Sequence, residues 1–115
     1  VSRNDADAES DGDHLLKVLG ALNNPHRLRI VAALTHDRNY VSRLARETGI
    51  SRPLLHMHLQ RLEAAGLVTS TLELSDDGKA MRFYEVTPFV YQLTPDSIAL
   101  ATETLSRSGQ REETR

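Results

Sequence analysis

VSRLARETGISRPLLHMHLQRLEAAGLV, residues 41–68, is the stretch on which the fold turns. Val41, Leu44 and Ala45 begin a short helix, and Gly49 ends it, because glycine just past a last turn takes the left-handed conformation at no steric cost. Ser51 stands where it can cap the next helix, and Pro53 falls in the first turn, where its missing N–H is harmless. Leu55, Leu59 and Leu62 then make one apolar stripe before Gly66, so this helix is expected over 52–65. Ala45 is small where the two helices must cross, and Leu55 packs back against it. The spacing is that of a helix-turn-helix.

Upstream, Leu15, Leu16, Leu19 and Leu22 recur at helical spacing until Asn23, Asn24 and Pro25 stop the run. Pro25 then opens a second helix to about residue 36, with Leu28, Ile30, Val31 and Leu34 on a wide apolar face. Downstream the period changes. Leu67, Val68, Thr69, Thr71, Leu72 and Leu74 favour strand, Ser75, Asp76, Asp77 and Gly78 supply a turn, and Met81, Phe83, Tyr84, Val86 and Thr87 return as a second strand. Four of the five aromatics, Phe83, Tyr84, Phe89 and Tyr91, fall close together and are expected to cover the core. Pro95 and Asp96 start a last helix with Ile98, Ala101 and Leu105 on one face.

The order helix, helix, helix-turn-helix, hairpin, helix predicts a mainly α fold with a small β-hairpin: a winged helix-turn-helix over residues 14–106. Residues 1–13 read as a disordered acidic tail and 107–115 as a disordered polar one.

A chain of 115 residues allows one such domain and excludes a multi-domain enzyme. With no apolar run near the roughly 18 residues of a membrane span, no membrane partner is expected. Zero cysteines exclude disulfides, thiolate metal sites and a cysteine nucleophile. No basic, apolar leader opens the sequence, so a cytoplasmic location is expected. The net charge of -2 argues against a nucleic-acid partner only until it is located. Residues 1–13 set Arg3 against Asp5, Asp7, Glu9, Asp11 and Asp13, whereas residues 38–61 set Arg38, Arg43, Arg46, Arg52 and Arg61 against Glu47 alone. A basic cluster by itself is more simply a solvated face; this one coincides with the helix-turn-helix.

The run from Asn24 and Pro25 through Val31, the segment Leu44-Ala45 to Pro53, the stretch Leu59 to Val68 and the strand Arg82 to Val86 together resemble ArsR-type winged helix-turn-helix transcriptional regulators. The most specific piece is the pattern of Ser51, Pro53, His58, Leu59, Leu62, Ala65, Gly66, Leu67 and Val68. The resemblance implies a homodimeric DNA-binding protein whose first and last helices form the dimer interface. Leu15, Leu19, Ile98, Ala101 and Leu105 are the candidates there, with intrachain core as the competing role.

A recognition helix of this kind turns Ser51, Arg52, Leu54, His56, Met57, Gln60 and Arg61 toward double-stranded DNA. Arg52 is the best candidate for reading a guanine; Gln60 suits an adenine or a phosphate. Arg43, Arg46 and Arg61 are candidates for phosphate contacts, and Lys79 and Arg82 for contacts along the wing, where Asp76 and Asp77 would repel phosphate. Leu54 and Met57 depart from the small polar or basic side chains usual in the family. They leave open a second reading, a winged-helix protein–protein interaction module without DNA affinity.

Metal sensors of the family use cysteines at the start of the third helix or an Asp/His set on the last. Tyr40 and Ser42 stand at the first location and no histidine follows Asp96, so any effector is expected not to be a metal bound there, and no cofactor is expected. His56 and His58 project about 200° apart on a helix of 3.6 residues per turn and cannot chelate one ion. His58 matches a family position that packs and hydrogen-bonds structurally, while His14, His26 and His36 read as ordinary surface or cap residues. The run Asp7, Glu9, Asp11, Gly12 begins like a calcium loop but fails at Val18. With no phosphate-binding glycine loop, zinc-protease motif or nucleophile elbow, an enzyme is not expected. The expected function is a sequence-specific regulator, a repressor, on a pseudo-palindromic operator with half-sites about one helical turn apart.

Overall fold

The computed structural model describes residues 9–106. It contains α1 (Asp11–Leu22), α2 (Pro25–Leu34), β1 (Asn39–Tyr40), α3 (Val41–Thr48), α4 (Arg52–Ala64), β2 (Val68–Leu74), β3 (Ala80–Val86) and α5 (Pro95–Thr102). Val18–Phe89 forms one compact unit; the residues up to Lys17 and from Val90 onward form another.

In the first unit, the apolar stripes of α2, α3 and α4 and the start of β2 meet in one core of Ile30, Leu34, Leu44, Leu55, Leu59, Leu62, Leu67 and Val68, all nearly inaccessible. Asn24 starts α2 by accepting from the N–H groups of His26 (2.8 Å) and Arg27 (3.3 Å). Gly49 ends α3 at φ 74°, its N–H donating to the Ala45 carbonyl at 2.9 Å. Ser51 precedes α4 but makes no side-chain cap, contrary to expectation. Pro53, at the second helical position, has removed one of the two N–H groups such a cap would hold.

The sheet has three antiparallel strands in the order β1-β3-β2, one more than the expected hairpin. Asn39 and Tyr40 pair with Tyr84 and Phe83, while β2 pairs along all seven residues of β3 from Val68↔Val86 to Leu74↔Ala80. Successive residues of a strand face opposite sides, so only one of the adjacent aromatics Phe83 and Tyr84 can enter the core. Tyr84 does, and Phe83 packs on the other face beside Tyr40, ring centroids 5.7 Å apart. Phe89 and Tyr91 are exposed, so the expected aromatic cover over the core reduces to Tyr84.

In the second unit, α1 begins at Asp11, and residues 11–13, read from the sequence as tail, form its first turn. Ser10 explains the early start: its hydroxyl accepts from Asp13 N–H at 3.1 Å and its carbonyl from His14 N–H at 2.8 Å. Asp11 and Asp13 suit the positive end of the helix dipole. Glu9 pairs with Lys17 at 2.9 Å and His14 at 3.1 Å, which holds its carboxyl below the usual range. Residues 1–8 and 107–115 of the two expected tails lie outside the described residues. Thr94 and Ser97 form a capping box at α5. That helix ends at Thr102, so Leu105 follows it rather than sharing its face.

Candidate nucleic-acid interface

The second helix of the helix-turn-helix, α4, buries Leu55, His58, Leu59 and Leu62 and exposes Arg52, Leu54, His56, Met57, Gln60 and Arg61, and Ser51 just before it is exposed as well. At 100° per residue, Met57 and Gln60 form the crest, Arg52 and His56 one flank, and Leu54 and Arg61 the other. Arg52 and His56 line a cleft of about 240 Å³ together with Tyr40, Val41 and Ser42 at the start of α3 and Met81 and Arg82 on the wing. The guanidinium nominated for base reading therefore stands on the wing side of the helix, not on its crest.

The remaining cations differ in how freely they can reach a phosphate. Arg43 Nε donates to Glu47 Oε2 at 3.2 Å, and Asn39 Nδ2 donates to the other oxygen at 3.1 Å. Arg82 donates to the Ser70 hydroxyl at 3.2 Å, which in turn donates to Glu63 at 2.9 Å, tying β3 through β2 to α4. Arg46 and Lys79 are exposed. At the wing tip, Asp77 accepts from the Ser75 hydroxyl and from the Lys79 N–H at 3.4 Å. Those bonds hold its carboxyl below the usual range and keep the tip anionic.

Two arginines without an assigned role are structurally committed. Arg38 lies 4.3 Å from the Phe83 ring centroid and donates to both carboxylate oxygens of Glu73, at 2.5 and 3.0 Å. Arg27 is buried, and its position was legible, because Arg27, Ile30 and Leu34 fall on one helical face. His26, half-buried in the capped first turn of α2, has its Nδ1 buried and its ring 5.5 Å from that of His58. His14 bridges Glu9 and the Tyr91 hydroxyl, the latter at 3.0 Å.

Of the candidate dimer residues, Leu19 and Ile98 are exposed, together with Leu16 and Leu100, which sequence reasoning left out. Leu15, Ala101 and Leu105 are half-buried within the chain. The Ala101 carbonyl and the Leu105 side chain lie against Gly12 within the chain. Among the described residues, no group of three His, Asp or Glu side chains is placed to hold a metal ion, and no helix is long and apolar enough to cross a membrane.

Residues 24–70 match the bacterial regulatory protein family arsR. The chain is 34% identical over 84 residues to an uncharacterized HTH-type transcriptional regulator of Methanocaldococcus jannaschii, covering 73% of this chain and 87% of the relative. NolR from Sinorhizobium fredii shares the fold with a TM-score of 0.57 and 26% identity over 81% of each chain. A homodimeric winged helix-turn-helix DNA-binding domain from Mycobacterium bovis, described as a possible ArsR-family regulator, aligns with a TM-score of 0.58 at 23% identity, over 90% of this chain and 85% of that one. Fold and exposed helix thus define a winged helix-turn-helix transcriptional regulator. Within that class, the chain belongs to the ArsR family.

Proposed function

We propose that this regulator is a homodimeric repressor that lays α4 in the major groove of a pseudo-palindromic operator. The observation that carries the reading is the division of α4 itself: four side chains anchor it in the core, and all seven nominated groove residues stand exposed within the basic stretch. Arg52 supplies base recognition from the wing-side flank, Gln60 and Met57 meet base edges from the crest, and Arg43, Arg46 and Arg61 hold phosphates. Lys79 and Arg82 contribute along the wing, weakened by the carboxylates of Asp76 and Asp77. Leu54 and Met57 can meet thymine methyl groups, and the arginines around them favour DNA over a protein partner.

Exposed Leu16, Leu19, Ile98 and Leu100 support pairing with a second copy, as does the homodimeric description of the Mycobacterium bovis domain. Tyr40 and Ser42 support an effector, if one binds, other than a metal at the start of α3. The protein acts in the cytoplasm, without a cofactor and without catalysis. The test is a gel shift with DNA selected from a genomic library by the purified protein. A two-fold symmetric footprint is expected; no binding at low salt, or equal binding to unrelated DNA, overturns the proposal.

A further inference from the structure

Arg27 is only 7% exposed, yet it carries a full charge into the interior. Its Nε donates to the Ala21 carbonyl at 2.6 Å and its Nη2 to the Gly20 carbonyl at 3.3 Å, both in the last turn of α1. Its Nη1 lies 3.0 Å from His58 Nδ1 on α4. Among the described residues no carboxylate pairs with it. The charge is balanced instead by the negative end of the α1 dipole.

Arginine gives up no proton, so in this contact His58 Nδ1 is the acceptor. The imidazole is then neutral, with its proton on Nε2, which is buried and has no hydrogen-bond partner among the described residues. A proton on Nε2 also bars a metal ion from that atom. A second proton, on Nδ1, would set donor against donor at 3.0 Å and cation against cation. The other ionisable groups acting on the ring do not relieve this: His26 faces it from α2 and Arg61 from α4 itself, while α1 offers only carbonyls already held by Arg27.

We infer that Arg27 is the positioning residue of the recognition helix, clamping α4 to the end of α1 through neutral His58, and that protonating His58 releases the clamp and switches DNA binding off in acid. The inference rests on the reading of α4 as the DNA-binding helix. Burial, then Arg27, His26 and Arg61, hold His58 below the ordinary histidine range, which places the switch on the acid side of neutral.

The experiment follows DNA affinity by fluorescence anisotropy from pH 8 to 5 at fixed ionic strength, for the parent, His58→Asn and Arg27→Met, using library-selected DNA. Asparagine offers an amide oxygen near the place of Nδ1 and does not titrate. The parent dimer, which needs both copies of α4 competent, is expected to lose up to about a hundredfold in affinity per pH unit below the His58 midpoint, as the square of the competent fraction falls. His58→Asn, whatever its affinity at pH 7.5, is expected to lack the parent's acid loss. Arg27→Met, which lacks the clamp at every pH, should bind more weakly at pH 7.5 and lose less than the parent on acidification.

A His58→Asn profile that falls in step with the parent overturns the inference. So does ¹⁵N NMR of the parent, which needs no variant, if Nδ1 of His58 carries a proton at pH 7.5. If the parent binds no DNA at any pH, the functional reading has failed, and the clamp is still tested: the His58 titration must coincide with faster amide exchange along α4, and exchange that does not change overturns it.

Discussion

The carbonyl oxygen of Ala101 stands too close to Gly12 for a Cβ there to fit, and Leu105 Cδ2 and Thr104 Oγ1 lie 3.0 and 3.1 Å from where that Cβ would be. The Gly12 N–H donates to that Thr104 hydroxyl at 2.7 Å, and Ser106 N–H donates to Asp13 at 3.0 Å, so backbone meets backbone with no room between. Gly12→Ala is therefore expected to force α1 and the end of α5 apart at a cost of about 1–3 kcal/mol. Thermal unfolding checks it: a lower Tm is expected, and an unchanged one would show that the two segments separate freely.

Within α4, Leu59 is inaccessible and Met57 is half-exposed. Leu59→Ala should cost about 2–5 kcal/mol in urea unfolding. Met57→Ala should stay within about 0.5 kcal/mol of the parent while weakening DNA binding. Equal losses of stability would contradict the division of the helix into a buried and a reading face.

Stability should fall in acid. His58 titrates below the ordinary value in the folded chain, so between that lowered value and about 6.5 the unfolded chain binds more protons than the folded one. The contribution is complete above about pH 6.5 and is lost as pH falls through the window, at up to about 1.4 kcal/mol per unit. Urea midpoints at pH 7.5 and 5.0 should differ more in the parent than in His58→Asn.

The cations of the DNA face should separate by what they touch. Arg52→Ala is expected to relax base preference by about 1–3 kcal/mol at one position. Arg43→Ala should weaken all DNA alike and reduce the salt slope by about one. Glu47 holds Arg43 by a hydrogen-bonded ion pair, so Glu47→Gln should act in the reverse direction and steepen the slope. Salt-dependent gel shifts on matched and mismatched DNA read all three.

The helices were legible because their stripes are long: Leu55, Leu59 and Leu62 state the buried side of α4, and its exposed side follows by subtraction. β1 was not, because Asn39 and Tyr40 carry no period and acquire their meaning only from Phe83 and Tyr84, far along the chain. The start of α1 was hidden by composition. Asp11 and Asp13 read as tail when counted as charge and as a first turn once Ser10 is seen to cap them. His58 is buried and hydrogen-bonded, the role expected of it, and Arg27 lies on the same helical face as Ile30 and Leu34, so the burial of both was legible. Neither residue's partner can be read from spacing along one helix, because the bond joins α2 to α4.

β2 is the outer strand of the sheet, and it presents Leu72 and Leu74 to solvent at 61% and 75% exposure. Among the described residues no strand pairs with its outer edge, and an exposed seven-residue edge with two leucines beside it is a template for another strand. Concentrated protein kept without DNA is thus expected to join wing to wing and come out of solution, and Leu74→Lys, by putting charge on that edge, should lower turbidity at the same concentration.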